Sequence, residues 1–229
     1  MTIETADEAN NTVAAAPHPV DPASSLVPPG SRDRGRAWVL AVGAALWAVG
    51  NLLHPLEHAE SSEQAPTWEA AHLTFAVGAV LMAVGLPALV RAIRGPGDDR
   101  AGKILTLAHG LLFAGLAVVI PIGAYHEVFV STHLDHHTAA EISDASAAVL
   151  APLSLALLLG FVLLAVYALI RPAAVFGRWS GVLIILGTLS MTVAAMLPGV
   201  LPGAEGWWII PGTVAQGLAI GIAGVRIAR

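Results

Sequence analysis

Histidine and carboxylate side chains are concentrated in one part of this chain. Eight of its nine histidines lie between His54 and His137, most of them at the edges of long apolar segments. Neutral imidazole and carboxylate groups are the ligands that suit Zn²⁺, Cu²⁺, Ni²⁺ and Co²⁺. The sequence has no cysteine, which excludes thiolate metal sites, disulfides and cysteine-attached haem. The candidate chemistry is therefore the binding of a divalent transition metal (Zn, Cu, Ni or Co) or of haem b.

Three of these histidines come from three successive apolar segments: His54 follows the first, His72 starts the second and His126 ends the third. Short loops make consecutive segments neighbours, so we expect the three side chains to meet at one level and bind a metal ion or haem. A carboxylate beside a ligating histidine orients its ring. The predicted metal ligands are His54, Glu57, His58, His72, His126 and Glu127, and the predicted haem ligands are His54, His72 and His126.

The remaining histidines divide into two groups. The cluster within 133–137 is expected to form a solvated, pH-responsive surface. His109 lies inside the third apolar segment, where an ionisable residue is costly and is by default functional. We predict that His109 and Gln216 form an intramembrane relay. A neutral His109 hydrogen-bonded to Thr106, Gln216 or Ser154 is the structural alternative.

Six apolar runs must position these side chains. The chain is 56% hydrophobic and only 12% charged, whereas soluble domains average about 25% charged residues. Each run has roughly the 20 residues that an α-helix needs to cross a bilayer. The sequence therefore predicts an all-α integral membrane protein with six transmembrane helices. The runs are 38–53, 70–90, 104–124, 147–170, 181–197 and 207–225.

The basic residues predict the orientation of these helices. All eleven flank the runs at positions that share one face if there are six crossings: Arg32, Arg34, Arg36, Arg91, Arg94, Arg100, Lys103, Arg171, Arg178, Arg226 and Arg229. The positive-inside rule makes that face cytoplasmic and places both termini inside the cell. Because these residues mark helix ends and form no basic stripe, nucleic-acid binding is not supported. Ten arginines against one lysine, with abundant Ala, Gly and Val, indicate a GC-rich bacterial genome. Together with the apolar runs, this predicts a multi-pass protein of the bacterial plasma membrane.

Proline and capping residues predict where the helices begin and end. Proline disfavours helix in the residue before it, so a proline is expected to end each odd-numbered span at the outer face. These prolines are Pro55, Pro121 and Pro198. The pattern fits three tandem helical hairpins, although short loops with basic inner ends would produce it without a repeat. Thr67 is expected to cap the second span. Thr138 and Glu141 fit a capping box that starts the fourth helix near Ala139.

Residues 1–33 differ from the rest of the chain. They are rich in Ala, Pro, Ser, Thr and Asn and contain too few large apolar residues to offset the entropy of ordering. We predict a disordered cytoplasmic tail at 1–33 and a six-helix transmembrane domain at 34–229.

Two short stretches resemble segments of bacterial cobalt and nickel permeases, which are small polytopic families with histidines at the outer face. The first is His54-Pro55-Leu56-Glu57-His58-Ala59-Glu60. The second is Leu201-Pro202-Gly203 followed by Trp207-Trp208 and Gly217-Leu218. The resemblance assigns a role to no individual residue.

Three functions are compatible with these patterns. The first is a permease or binding protein for a divalent transition metal, with His109 as an inner relay. The second is a b-type haem protein with ligands from the first three helices. The third is a membrane-embedded enzyme that uses a metal-activated water, although the sequence contains neither His-Glu-x-x-His nor Gly-x-Ser-x-Gly. The expected partners are the lipid bilayer and, in addition, another membrane protein or a second copy of the chain.

Overall fold

A computed structural model describes residues 31–56, 65–95, 100–196 and 204–229. Within these ranges every regular element is helical, which confirms the all-α fold class. The main helices are α1 (Ser31–Leu53), α2 (Trp68–Ile93), α3 (Arg100–His133), α4 (His136–Ile170), α5 (Arg178–Met196) and α6 (Ile209–Ala228). A π-helical turn, Ala204–Trp208, leads into α6.

Five of the helical segments are long and apolar enough to cross a membrane by length and composition. They are Ser31–Leu53, Trp68–Ile93, Arg100–His133, His136–Ile170 and Gly206–Ala228. The apolar part of α5, Arg178–Val193, is shorter than these. Several apolar helices of this length indicate a multi-pass membrane protein.

The helices pack as a closed ring in chain order. Consecutive helices are neighbours all the way from α1 to α6, and α6 packs back against α1. The most extensive contact is between α1 and α2, where glycine brings the two backbones together. A Cβ atom on Gly78 would lie 2.4 Å from the backbone nitrogen of Trp47, and one on Gly43 would lie 2.6 Å from that of Met82. Small residues at helix contacts allow this approach in lipid.

Polar contacts gather the basic helix termini at one end of the ring, which we call the basic end. There the start of α1 and the end of α2 meet the start of α3, the end of α4 and the end of α6. The contacts are the Arg91–Asp33 ion pair, Arg94 Nη2 to Thr106 Oγ1 at 2.8 Å, Tyr167 OH to Ile93 O at 2.9 Å, and Arg226 Nη1 to Ala174 O at 3.4 Å. The opposite end, where α1 ends and α2 begins, we call the histidine end.

The proline prediction is correct for α1 and wrong for α3. Helix α1 ends at Leu53, just before His54 and Pro55. Helix α3 instead continues past Pro121 to His133, so His126 lies within the helix and does not end it. A π turn at Gly115–Val119 precedes the proline, and the Ile120 amide donates to the carbonyl of Gly115, five residues back. This wider turn rearranges the hydrogen bonds around a residue that has no amide hydrogen.

Two predicted helix starts are also corrected. Helix α4 begins at His136, because Asp135 is its N-cap and its carboxylate accepts a hydrogen bond from the Thr138 amide at 3.1 Å. Thr138 also donates its hydroxyl to Asp135 at 2.7 Å, so it does not cap the helix itself. Asp is among the best N-cap residues and occupies that position three residues before Thr138. Thr67 precedes α2 but makes no side-chain cap hydrogen bond.

Several predicted features lie outside the described residues. They include residues 1–30 of the predicted tail, the predicted ligands Glu57 and His58, and the turn that contains Pro198. Helix α1 begins at Ser31, three residues before the predicted start of the transmembrane domain.

Candidate functional site

Three aromatic rings meet at the histidine end between α1 and α2. The ring centroids of His54 and His72 are 5.0 Å apart, those of Trp68 and His72 are 4.3 Å apart, and those of His54 and Trp68 are 5.4 Å apart. Trp68 and His72 are only 1% and 3% exposed. Because they are four residues apart in the first turns of α2, they lie on one face of the helix. The antiparallel packing of α1 brings His54 to the same face.

Backbone carbonyls determine the tautomer of both histidines. His72 Nδ1 lies 2.9 Å from the carbonyl oxygen of Trp68, and His54 Nδ1 lies 2.9 Å from that of Pro55. A carbonyl only accepts hydrogen bonds, so each Nδ1 carries the hydrogen in the neutral ring, and the lone pair is on Nε2. Ligating histidines in metal sites have this arrangement, in which one nitrogen donates to a carbonyl or carboxylate and the other binds the metal.

Trp68 also joins this cluster to α3. Its Nε1 donates to the carbonyl oxygen of Glu127 at 3.0 Å, which brings the backbone next to His126 to the level of His54 and His72. His126 is half-buried, and its Nε2 is buried without a hydrogen-bond partner among the described residues. On the other side of that ring, the Ser131 hydroxyl lies 3.5 Å from His126 Nδ1.

The structure brings together part of the predicted ligand set. His54 and His72 are in contact, and His126 comes from the neighbouring helix at the same level. Glu127 is half-buried on α3 beside it. The described residues contain no group of three or more His, Asp or Glu side chains placed to hold a metal ion. The complete ligand set therefore stays a prediction.

Trp68 is the component of this site that sequence reasoning missed. It contacts both histidines, and its indole bonds to α3. The available signal was its position, four residues before His72 and at the start of the same predicted helix. Phe75 extends the aromatic layer, with its ring centroid 5.4 Å from that of His72 and 6.0 Å from that of Trp47.

The predicted relay residues lie on different helices. His109 is half-buried on α3, and its Nε2 has no hydrogen-bond partner among the described residues. Gln216 is fully buried on α6, where its Nε2 donates to Thr188 Oγ1 of α5 at 3.1 Å. The Gln216 Oε1 atom has no partner in the described part of the chain. No hydrogen bond joins His109 to Gln216, so the relay stays a prediction.

Exposed polar groups lie on both sides of the junction between α3 and α4. His133, His136 and His137 are exposed, and His137 lies 3.6 Å from Glu141 with both side chains largely in solvent. The pKa of Asp135 is lowered, mainly by the hydrogen bond from the Thr138 hydroxyl and then by that from the Thr138 amide. This carboxylate therefore acts as a helix cap in its ionised form.

Comparison of the chain with protein-family models, curated proteins and solved structures found no match.

Proposed function

We propose that this protein is a bacterial plasma-membrane protein that binds a divalent transition-metal ion at the histidine end. All six helices would cross the bilayer. The arginines at the basic end support a cytoplasmic location for that end and for both termini. The histidine end would then face the outside, where metal ions arrive.

The observation that carries the proposal is the contact between His54 and His72. Both rings have the lone pair on Nε2, and their centroids are 5.0 Å apart. With metal–nitrogen bonds of about 2.0–2.1 Å, two imidazoles on one tetrahedral ion have ring centres about 5 Å apart. Two imidazoles on opposite faces of a haem iron would be about 6 Å apart. The 5.0 Å spacing of this pair therefore fits two ligands on one metal ion, whereas haem would pair His126 with one of these two histidines.

The other ligands would come from nearby positions. Glu57 and His58 follow His54 by three and four residues in the sequence. The buried Nε2 of His126, at the same level, has no hydrogen-bond partner in the described part of the chain, and a bond to a metal ion would satisfy it. A site of imidazoles and carboxylates suits Zn²⁺, Cu²⁺, Ni²⁺ and Co²⁺.

A metal titration of the purified protein tests this proposal. We expect His54→Ala and His72→Ala each to weaken binding of Co²⁺ or Zn²⁺ by at least about tenfold, because each removes a direct ligand. The matched control is His136→Ala, which removes an exposed histidine at the same end. Calorimetry gives the affinity, and the Co²⁺ absorption spectrum reports tetrahedral coordination.

Two outcomes contradict the metal proposal. One is a His72→Ala protein that is folded and binds metal like the wild type. The other is a Soret band in the purified protein, which would support the b-type haem alternative. Thermal unfolding of each variant separates loss of a ligand from loss of the fold.

Transport is the further part of this proposal, and it depends on His109 and Gln216. In proteoliposomes, His109→Ala and Gln216→Leu should abolish metal flux while metal affinity at the histidine end stays unchanged. Thr192→Val is the control, since the hydrogen bond that its hydroxyl makes among the described residues stays within α5, to Thr188 O at 2.8 Å. If both variants transported metal as fast as the wild type, the relay would be contradicted, and the protein would be one that binds metal without using His109 and Gln216 for transport.

A further inference from the structure

A groove on the outward surface between α1 and α6 combines an apolar floor with a charged end. Its volume is about 450 Å³. Small residues form the floor, among them Ala44, Ala48, Gly217 and Gly221. A Cβ atom on Gly221 would meet nothing closer than 3.5 Å, so this part of the groove has room for further atoms.

Two arginines line the groove where it reaches the basic end. Arg226 and Arg229 are both exposed and both line it. Within the described ranges, the Arg226 guanidinium bonds to the carbonyl oxygen of Ala174, at 3.4 Å. Neither guanidinium forms an ion pair with a carboxylate of the described residues. Two positive charges without a carboxylate partner among the described residues, at the end of an apolar groove, favour a ligand with an anionic head and an apolar body.

The length of the groove matches one leaflet of a bilayer. Gly217 and Arg229 are 12 residues apart in the sequence. At about 1.5 Å per residue, this part of α6 spans about 18 Å. Half of a hydrocarbon core about 30 Å thick is about 15 Å. A lipid acyl chain that lies along the groove would therefore place its headgroup beside the two arginines.

We propose that this groove binds an anionic phospholipid of the leaflet at the basic end. The acyl chain would lie over Ala44, Ala48 and Gly221, and the phosphate would accept hydrogen bonds from Arg226 and Arg229. A second copy of the chain fits this surface less well. Copies in one membrane share an orientation, so groove-to-groove packing would bring two pairs of arginines together. The proposal does not depend on metal binding at the opposite end.

Native mass spectrometry of protein released from nanodiscs tests the proposal. The nanodiscs contain equal amounts of phosphatidylglycerol and phosphatidylcholine. We expect the wild type to retain phosphatidylglycerol preferentially and R226Q/R229Q to lose about fivefold or more of that preference. The control R100Q/R178Q removes the same charge from exposed arginines at the basic end that do not line the groove.

A second pair of variants tests the apolar part of the groove. Ala45→Phe fills the groove, in which Ala45 is exposed, and should reduce retained phosphatidylglycerol. Val42→Phe adds the same ring at a 50% exposed position beside the groove and should retain the wild-type amount. Equal retention of the two lipids by the wild type would overturn the proposal, as would unchanged preference in R226Q/R229Q. A dimer that Ala45→Phe dissociates, with no bound lipid, would identify a self-association surface and also overturn it.

Discussion

The first hairpin, α1 and α2, and the second hairpin, α3 and α4, both carry histidines but hold them differently. About half of the most apolar stretch of each helix is buried in the first hairpin, 50% in α1 and 56% in α2, against 28% in α3 and 39% in α4. In the first hairpin, His54 and His72 are in contact and donate to carbonyls. In the second, His109 and His126 each have a buried Nε2 without a described partner.

The difference shows that helix packing determines which histidines are preorganised. Where glycine lets α1 and α2 approach backbone to backbone, the aromatic side chains at their ends have little freedom. Helix α3 packs less closely and contains two π turns, one of which begins at His126. Such turns are frequent at functional sites, because they shift side chains relative to a regular helix. We therefore expect His54 and His72 to form the rigid part of the site and His126 the adaptable part.

The largest loss of stability is expected at the glycine contact where the backbones of α1 and α2 approach each other. Gly78→Leu would place a Cβ atom 2.4 Å from the backbone nitrogen of Trp47, and backbone cannot move aside as a side chain can. We expect a loss of more than about 3 kcal/mol of unfolding free energy and loss of metal binding at the histidine end. Gly110→Leu, at a glycine with nothing within 4 Å, should change stability little. Denaturant unfolding in detergent measures both, and similar unfolding of the two variants would contradict the comparison.

A smaller loss of stability is expected at the hydrogen bond that joins the first hairpin to the second, from Trp68 to the carbonyl oxygen of Glu127. Trp68→Phe keeps an aromatic ring beside the histidines but removes the hydrogen bond to the Glu127 carbonyl. We expect a loss of about 1 kcal/mol of unfolding free energy. We also expect metal affinity to fall by about tenfold, because α3 is no longer held at this level. Trp179→Phe, at a tryptophan 79% exposed, is the control. Unchanged affinity in Trp68→Phe would mean that α3 contributes nothing to the site.

The smallest effect is expected at the start of α4. The pKa of Asp135 is lower in the folded protein than in the unfolded chain. The stability that its helix cap contributes is therefore fully present above the unfolded-state pKa. This stability is lost as pH falls through the folded-state pKa. Asp135→Ala should therefore lower the Tm at neutral pH and have no effect on it in acid, below the folded pKa. Asp144→Ala, which removes another exposed carboxylate of α4, should leave the Tm unchanged at neutral pH. If Asp135→Ala lowered the Tm equally at both pH values, the ionised form of Asp135 would not be the one that caps the helix.

The all-α fold class was predictable because it depends on the hydrophobicity and charge of individual residues. Apolar runs and the flanking arginines indicate membrane-spanning helices with one basic end, since hydrocarbon excludes charge wherever it occurs in the chain. Local proline geometry also predicted the end of α1. The same rule was wrong at Pro121, because a π turn elsewhere in the helix accommodated the missing amide. Helix α3 therefore continues past Pro121 because the hydrogen bonds of the preceding turn are rearranged.

The candidate site was only partly predictable from the sequence. The positions of His54, His72 and His126 at the ends of three successive apolar runs predicted that these side chains meet at one level, and the structure shows the first two in contact. Only the tertiary structure decided that Trp68 contacts both of these histidines and bonds to α3, and that backbone carbonyls set both tautomers. These features depend on how closely two helix backbones approach and on which carbonyl a ring nitrogen reaches. Neither quantity is a property of residue type or spacing along the chain.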